Sequence, residues 1–209
     1  LIITAPVMFG RVFVLPVVAA FLATFPDITV KLILTDRNVD LISDHVDMAV
    51  RIGRLPDSSM IATPVGTMRT VTCGHPDLLA RHGDPTDPRA LARIPCITVD
   101  TPMPAAGWHF NAPDTHDDIA VSVCSRLAVT SPEAAAHAAT LGIGITRLLH
   151  YQVADGIAAG HLQIVLASFE PAPSPIHLLH ASRGLMPLKM RRFLDFAIPR
   201  LKHALHDMN

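Results

Sequence analysis

The chain has 209 residues, of which 50% are hydrophobic and 17% charged, and its formal net charge is −1. Such a chain fills a sizeable core, as one large domain or two small ones. Its near-neutral charge argues against a polyanion-binding surface and against a free-standing DNA-binding domain, which is normally more basic.

The first part of the chain alternates predicted strands with predicted helices. Apolar residues recur at helical spacing over 9–25, but Pro16 lies inside that pattern, so we expect a kink or a late helix start. Arg51 continues an apolar strand and precedes a glycine and a loop. The predicted strands are 1–5, 30–34, 48–51, 61–65 and 69–74, and the predicted helices are 9–25, 39–43, 76–82 and 87–92.

The second part continues the alternation after one long irregular stretch. Residues 100–118 are rich in Pro, Gly, Asp and Asn, which predicts a loop around Trp108. Ser131-Pro132-Glu133 predicts a helix start, with serine as the N-cap, and that helix runs to Leu141 and ends on Gly142. The remaining predicted strands are 96–99, 119–123, 126–129, 143–146, 162–166 and 176–180, and the remaining helices are 149–159 and 187–205.

This alternation of strands and helices predicts an α/β fold with parallel sheets. About ten strands are many for one small open sheet, so two sheets and two subdomains are expected. No single linker separates them in the sequence. We therefore expect a discontinuous arrangement, in which the chain leaves the first subdomain and later returns to it.

Motifs for catalysis, cofactors and metals are weak. Gly142-Ile143-Gly144 follows a helix rather than a strand, so it does not indicate a dinucleotide site. His203 and His206 share a helical face near the C-terminus, which is a weak metal signal, and the other histidines are scattered. The three cysteines are widely spaced and favour a reducing environment. We predict no catalytic residues, no cofactor and no metal site.

Several strand ends, each followed by a helix start or a turn, form the best candidate for a ligand site. Ligands of open α/β sheets bind outside the carboxyl ends of the strands, where helix N-termini offer free N–H groups. Hydroxyl and guanidinium groups there suit a small carboxylate or another polar metabolite, although a helix cap explains any single Thr or Ser as well. The candidate ligand-binding residues are Pro6, Val7, Met8, Thr35, Asp36, Arg51, Ile52, Gly53, Thr130, Ser131, Pro132, Thr146 and Arg147.

A family resemblance emerges from the order of motifs along essentially the whole chain. The chain strongly resembles the effector-binding (substrate-binding) domain of LysR-type transcriptional regulators. The motifs are ITAPVMFGR (3–11), FLATFPD (21–27), LTDRNVDL (34–41), VDMAVRIGRLPDSS (46–59), HPDLLARHG (75–83), WHF (108–110), LGIGI (141–145), PIHLLH (175–180) and PLKMRRFLDF (187–196).

The resemblance implies a periplasmic-binding-protein-like (type II) fold. Two Rossmann-like subdomains, residues 1–72 plus 176–209 and residues 73–175, would be joined by two crossover strands at 69–74 and 176–180. It also implies an N-terminal winged helix-turn-helix and a linker helix, neither of which is in this chain. Because the chain starts at Leu1 rather than Met, we expect it to be a fragment or a processed chain. DNA would be bound only through the missing domain.

The resemblance further implies a cytoplasmic regulator rather than an enzyme. A small-molecule effector would bind between the subdomains, and the domain would form antiparallel homodimers, often tetramers at full length. Arg51 or Arg54 would neutralise an anionic effector, or would pair internally with an acid such as Asp36. Met8, where many relatives carry a small polar residue, would favour a smaller or more apolar effector.

Two other protein classes share the implied fold. A solute-binding protein of a transport system is the main alternative, and a signal peptide or paired cysteines would favour it. An enzyme is the second, and it would need a base–nucleophile pair or a metal site. We find no apolar run long enough to span a bilayer, so no membrane association is predicted.

Overall fold

The computed structural model describes residues 1–37, 39–55, 60–100, 107–115, 117–181, 186–206 and 208. The chain divides into two compact units, Leu1–Met68 with Ser174–Asn209, and Arg69–Pro173. The first unit is therefore discontinuous in sequence. The predicted boundaries, after residues 72 and 175, lie slightly further along the chain than these breaks, and the subdomain limits stay a prediction.

The first unit is built on a five-stranded mixed sheet with the order β2-β1-β3-β12-β4. Strand β1 pairs in parallel with β2 and β3, while β12 pairs antiparallel with β3 and β4. The late strand β12 thus lies between strands from the start of the chain. The strands are β1 (Ile2–Ala5), β2 (Lys31–Leu34), β3 (Met48–Ile52), β4 (Met60–Met68) and β12 (Ser174–Ala181).

A long helix follows β1. It consists of α1 (Val7–Phe9), a π-helical turn (Gly10–Val14) and α2 (Leu15–Thr24). Of the two alternatives expected at Pro16, the late helix start is wrong, because the helix runs through the proline, and the kink stays a prediction. Pro16 has no N–H to donate to the preceding turn, and the irregular π turn lies directly before it.

The same helix corrects the prediction about membrane-spanning segments. Val7–Thr24 has 18 residues and a mean hydropathy of 2.1, so its length and composition would allow it to cross a bilayer. A core helix passes the same test, and one face of this helix packs in the core of the first unit. Phe9 and Phe21 are fully buried, and the Phe21 ring packs edge-on against Phe193 with centroids 5.1 Å apart.

Phe193 belongs to α6 (Leu188–His206), the closing helix of the first unit. Its apolar residues recur at helical spacing, and Phe193, Ala197 and Leu201 are buried. Leu205 packs so closely on β4 that a Cβ added at Gly66 would lie 2.9 Å from its Cδ1. The predicted helix over 187–205 is therefore confirmed within a residue at each end, with Pro199 inside it.

The second unit has its own five-stranded sheet, with the order β11-β5-β10-β6-β9. Strand β6 pairs in parallel with β10 and β9, whereas β5 pairs antiparallel with β10 and β11. The prediction of two sheets is confirmed, but both are mixed rather than parallel. The strands are β5 (Thr70–Gly74), β6 (Pro95–Val99), β9 (Cys124–Val129), β10 (Ile145–Leu149) and β11 (Gln163–Val165).

Two apolar clusters, one including Leu78 and Phe110 and the other Ala135 and Val153, form the core of this unit. The helices α3, α4 and α5 and two 3₁₀ turns pack around the sheet. Their bounds are α3 (Pro76–His82), α4 (Pro132–Thr140), α5 (His150–Ala158), and 3₁₀ turns at Pro88–Arg93 and Ala167–Phe169.

Three local predictions are wrong. The chain over 41–45 forms turns rather than a helix. The predicted loop over 100–118 contains the strand β7 (Trp108–Asn111), which pairs with β8 (Asp118–Val121), the strand predicted over 119–123; residues 101–106 and 116 lie outside the described part. The strand predicted at 143–146 is β10, shifted to Ile145–Leu149, because the apolar Leu148 and Leu149 extend it.

Candidate functional site

The start of the long helix in the first unit brings several predicted residues together. Pro6 precedes the helix, and the Val7 N–H donates to Oδ1 of Asp36 at 3.0 Å. The Asp36 carboxylate therefore occupies the helix N-terminus that was expected to be free for a ligand. Thr35 follows β2, and its Oγ1 accepts a hydrogen bond from the Arg37 N–H at 3.2 Å, which fixes the turn. Met8 is partly exposed on the first helical turn.

Arg51 lies near the end of β3 and is half-buried. Its Nη2 donates to the Val39 carbonyl at 3.1 Å and its Nη1 to the Val50 carbonyl at 3.3 Å. Burial lowers the pKa of this guanidinium. Within the described ranges no carboxylate forms an ion pair with Arg51 within 4 Å. The expected partner, Asp36, instead accepts a hydrogen bond from the Val7 N–H.

Two further polar atoms lie on the same sheet face as Arg51. His177 is the cross-strand neighbour of Arg51, and its Nδ1 is buried without a hydrogen-bond partner among the described residues. The Thr4 hydroxyl on β1 is likewise buried and has no partner in the same ranges. A buried polar group without a partner is costly, and it often marks a site for water or a ligand.

The chain turns directly after Arg51. Ile52 ends β3, and Gly53 has a φ of 101°, which favours glycine. The Gly53 N–H donates to the Pro175 carbonyl at 2.8 Å, so the turn is tied to the start of β12. The predicted positions Ile52 and Gly53 therefore serve the backbone turn behind the Arg51 side chain.

In the second unit the predicted helix start is confirmed. The Ser131 Oγ accepts from the Ala134 N–H at 3.3 Å, Pro132 is the first residue of α4, and Thr130 is exposed just before it. Because Ser131 caps the helix, the simpler interpretation of this residue is structural. A ligand role for Thr130, Ser131 and Pro132 stays a prediction.

Arg147 is placed differently from the prediction, because Thr146 and Arg147 lie inside β10 and not at its end. Thr146 is fully buried, and its hydroxyl lies 3.5 Å from the Ile97 carbonyl. The Arg147 Nη2 donates to the His109 carbonyl at 2.7 Å, and its guanidinium carbon lies 5.4 Å from the centroid of the Phe110 ring. The side chain thereby connects the hairpin to the main sheet.

The Arg147 charge is incompletely compensated. Its Nε is buried and has no hydrogen-bond partner in the described part of the chain. Burial lowers the pKa of Arg147, and the nearby Asp118 acts in the opposite direction. Asp118 itself contacts Nδ1 of His109 at 2.8 Å. In the part of the chain that is described, Arg147 forms no ion pair within 4 Å.

Sequence reasoning missed the surroundings of both arginines. His109, Phe110 and Asp118 come from a stretch predicted as loop, although the alternating Trp-His-Phe of 108–110 is a strand signal. Val39 lies in the stretch predicted as a helix over 39–43, but its carbonyl accepts a hydrogen bond from the Arg51 side chain. No group of three or more His, Cys, Asp or Glu side chains suited to a metal ion occurs among the described residues.

The profile of the family described as "LysR substrate binding domain" matches residues 1–202. This chain belongs to that family. The transcriptional regulator DmlR of Escherichia coli is 28% identical over 90% of the chain, which covers 61% of that relative. The chain spans about three fifths of the length of the first curated relatives that it matches, between 58% and 61%.

Solved structures of the family share this fold. The regulatory domain of CrgA, a LysR-type transcriptional regulator from Neisseria meningitidis, matches with a TM-score of 0.82 and 26% identity, over 96% of this chain and 98% of that one. Full-length AphB from Vibrio cholerae matches with a TM-score of 0.83 and 25% identity, over 95% of this chain and 67% of that one. The LysR substrate-binding domain therefore has the type II periplasmic-binding-protein-like α/β fold that the resemblance implied.

Proposed function

We propose that this LysR substrate-binding domain is the effector-sensing and oligomerising part of a bacterial transcriptional regulator. A small anionic or polar metabolite binds between its subdomains and favours one arrangement of the protein by population shift. The change passes to DNA-binding domains elsewhere in the full-length protein. The proposed effector-binding residues are Pro6, Val7, Met8, Thr35, Asp36, Arg51, Ile52, Gly53, Thr130, Ser131, Pro132, Thr146 and Arg147.

One observation carries the choice of an anionic effector. Each unit contains one partly buried guanidinium, Arg51 or Arg147, which forms no ion pair within the described residues. Burying a charge is expensive unless it is paired or well hydrogen-bonded. Among the described residues, the acceptors of both arginines are carbonyl oxygens. A ligand carboxylate would complete the compensation with stronger, charge-assisted hydrogen bonds.

The test is a thermal-shift screen of small carboxylates and aromatic acids on the purified domain, followed by calorimetric titration of any hit. We expect Arg51→Ala and Arg147→Met each to weaken binding about tenfold or more, because each removes a charged donor. Thr35→Val, which removes a hydroxyl beside the helix start, should weaken it less.

Matched controls use exposed arginines of the same units. Arg37→Ala replaces an exposed arginine two residues after Thr35 in the first unit. Arg126→Met replaces an exposed arginine on β9 in the second unit. Both should leave the affinity unchanged. Unchanged affinity in Arg51→Ala and Arg147→Met, with folding intact, would exclude both arginines as ligand contacts and remove the basis for an anionic effector.

The oligomerising role rests on the family and on the surface of the long helix. We propose an antiparallel homodimer that uses the helix Val7–Thr24, and tetramers at full length. Val7, Val12 and Leu15 on this helix are 39%, 41% and 47% exposed, which is unusual for three large apolar side chains of one helix.

Native mass spectrometry tests the dimer. Leu15→Lys should convert a dimer into monomers, because it places a charge in an apolar contact. Ile61→Lys, on an equally exposed apolar residue of β4, should not. A dimer that persists in Leu15→Lys would contradict the use of this helix.

Two alternatives are weaker. The matched relatives are named as transcriptional regulators, which favours a regulator over a solute-binding protein of a transport system. The same relatives favour a non-enzymatic domain in the cytoplasm that needs no cofactor. Sequencing the gene upstream of Leu1 tests this directly, since a regulator should encode about 90 further residues with a basic helix-turn-helix.

A further inference from the structure

The first unit contains a cavity of about 400 Å³ far along the strands from the residues proposed for the effector. Its walls are the end of α2 with the turn that follows it, and the first turn of α6. This turn precedes β2, and the Thr29 carbonyl accepts from the Leu1 nitrogen, so the cavity lies at the amino-terminal side of β1 and β2. Its size is within the range of small-molecule sites, roughly 300–1,000 Å³.

One wall of the cavity is rigid. The Phe25 ring lies 4.8 Å from the ring of Phe21, which is fully buried, and 6.3 Å from that of Phe196. The Phe25 N–H donates to the Phe21 carbonyl at 2.9 Å, and the Phe25 carbonyl accepts from the Ile28 N–H at 3.1 Å. The aromatic face is therefore held in place by its backbone and its neighbours, as expected of a preformed site.

A second part of the lining, contributed by α6, is positively charged. The Arg192 guanidinium carbon lies 5.5 Å from the centroid of the Phe25 ring, and Lys189 is one helical turn before it. Asp27 is the one acidic residue among the described residues of the lining. Across the described residues, none of these three side chains forms an ion pair. The described residues of the lining thus carry a net charge of +1, from two cations and one anion.

Two aliphatic side chains and one hydroxyl are also part of the lining. Leu188 is 67% exposed beside the cavity, Ile28 is a further apolar residue of the lining, and the Thr24 hydroxyl donates to the Ala20 carbonyl at 2.9 Å. A single exposed leucine is ordinary, but here it stands next to an aromatic face and two cations without ion pairs. This combination matches a ligand with a flat apolar body and a negative end.

We propose that this cavity is a second ligand site of the domain, specific for a small organic anion of the aromatic carboxylate class. The apolar body lies between Phe25 and Leu188, and the carboxylate accepts hydrogen bonds from Arg192 and Lys189. The site uses none of the residues proposed for the effector, and it does not depend on that proposal.

The experiment titrates 1-naphthoate into the ¹⁵N-labelled domain and follows amide chemical shifts. The uncharged 1-naphthamide, of nearly the same shape, serves as the matched probe. We expect 1-naphthoate to bind with a Kd on the order of 1 mM or tighter and to shift the amides of residues 24–28 and 188–192. The amide should bind about tenfold more weakly, because it cannot use the two cations.

Variants assign the binding to the cavity. The double substitution Lys189→Gln with Arg192→Gln should weaken naphthoate binding about tenfold or more. Both positions are exposed on a helix, so folding is preserved, and a retained amide spectrum verifies this. Arg191→Gln, the exposed neighbour outside the lining, should bind like the wild type.

Three results would overturn the proposal. They are equal affinity for the acid and the amide, unchanged affinity in the double variant, and shifts confined to the region of Thr35 and Arg51. The last result would support the proposed effector site instead, so the two proposals fail separately.

Discussion

Two arginines of the second unit differ in how the chain compensates their positive charge. Arg69, just before β5, forms a two-pronged ion pair with Glu170, with Nε–Oε2 at 2.9 Å and Nη2–Oε1 at 2.8 Å. This pairing raises the pKa of Arg69, whereas burial lowers that of Arg147. Arg147 instead donates to a carbonyl and lies beside an aromatic ring, and it forms no ion pair among the described residues.

The contrast shows that compensation by carboxylates is not uniform in this domain. Among the described residues, the fold supplies an ion-pair partner for Arg69 across 101 positions of sequence, but none within 4 Å for Arg147 or for Arg51 of the first unit. A guanidinium stays charged even when it is desolvated. A desolvated guanidinium without an ion pair is therefore stabilised when it binds an anion. A paired arginine indicates a structural role, and an uncompensated one indicates a candidate ligand contact.

The largest expected effect on the free energy of unfolding comes from two buried cysteines. Their thiols, unlike a guanidinium, can remain neutral. Burial raises the pKa of Cys73 and Cys96 to about 12. An unfolded thiol has a pKa of about 8.5, so above that pH the unfolded state loses protons that the folded state keeps. Stability is therefore complete below pH 8.5 and falls as the pH rises, by about 2 kcal/mol for each thiol between pH 8 and pH 10.

Urea unfolding at both pH values measures this loss. Cys73→Ala should remove about half of the part that comes from the thiols. Cys124→Ala, which replaces the exposed cysteine, should change the pH dependence far less than Cys73→Ala, because burial is the larger cause of the raised pKa of Cys96 and the charge of Cys124 the smaller one. An identical alkaline decline in Cys73→Ala would show that the buried thiol does not contribute.

The next largest effect comes from the paired arginine. Arg69→Met should lower the free energy of unfolding by about 2 kcal/mol, because it leaves the carboxylate of Glu170 unpaired. The Glu170 side chain is only 14% exposed, while that of Arg69 is 36% exposed, so we expect less than for a fully buried pair. Urea unfolding measures the change, and a loss below about 0.5 kcal/mol would contradict it.

The same substitution at the uncompensated arginine should cost less. Arg147→Met loses one hydrogen bond and the ring contact, but it also removes a desolvated charge. We expect the free energy of unfolding to change by no more than about 1 kcal/mol. If Arg147→Met destabilises the domain more than Arg69→Met does, the contrast between the two arginines is wrong.

An exposed ion pair gives the smallest effect. Arg89 contacts Asp87 at 3.1 Å, but its side chain is 71% exposed. Arg89→Met should change the free energy of unfolding by about 0.5 kcal/mol or less, because solvent and salt screen such pairs. Chemical denaturation alongside the other two variants places all three arginines on one scale.

Features encoded by neighbouring residues were predictable from the sequence. The Ser131 cap, the helix that follows it and the apolar strand before Arg51 each depend on a few adjacent positions. The family motifs made the fold of the whole chain predictable as well. The helix Val7–Thr24 was also found, although its beginning was placed two residues late.

Features that depend on distant contacts were not predictable. The carbonyl that accepts from Arg147 is 38 positions away, in a stretch whose composition indicates a loop. The engagement of Asp36 with the Val7 N–H depends on two strand ends meeting in space. Sequence reasoning therefore selected plausible site residues, and only the structure distinguished those already engaged within the chain from those with unmet hydrogen-bonding capacity.

The π-helical turn at Gly10–Val14 has a consequence for the evolution of the chain length. A π turn holds one residue more than the α turn it replaces, so it corresponds to a single inserted residue inside a helix. Deleting one of its residues would restore a regular helix, but it would also rotate Val7–Phe9 by about 100° relative to α2. Phe9 would then lose its place 4.7 Å from Phe13. A deletion that removes the inserted residue is therefore expected to disrupt the packing of the buried Phe9 as well.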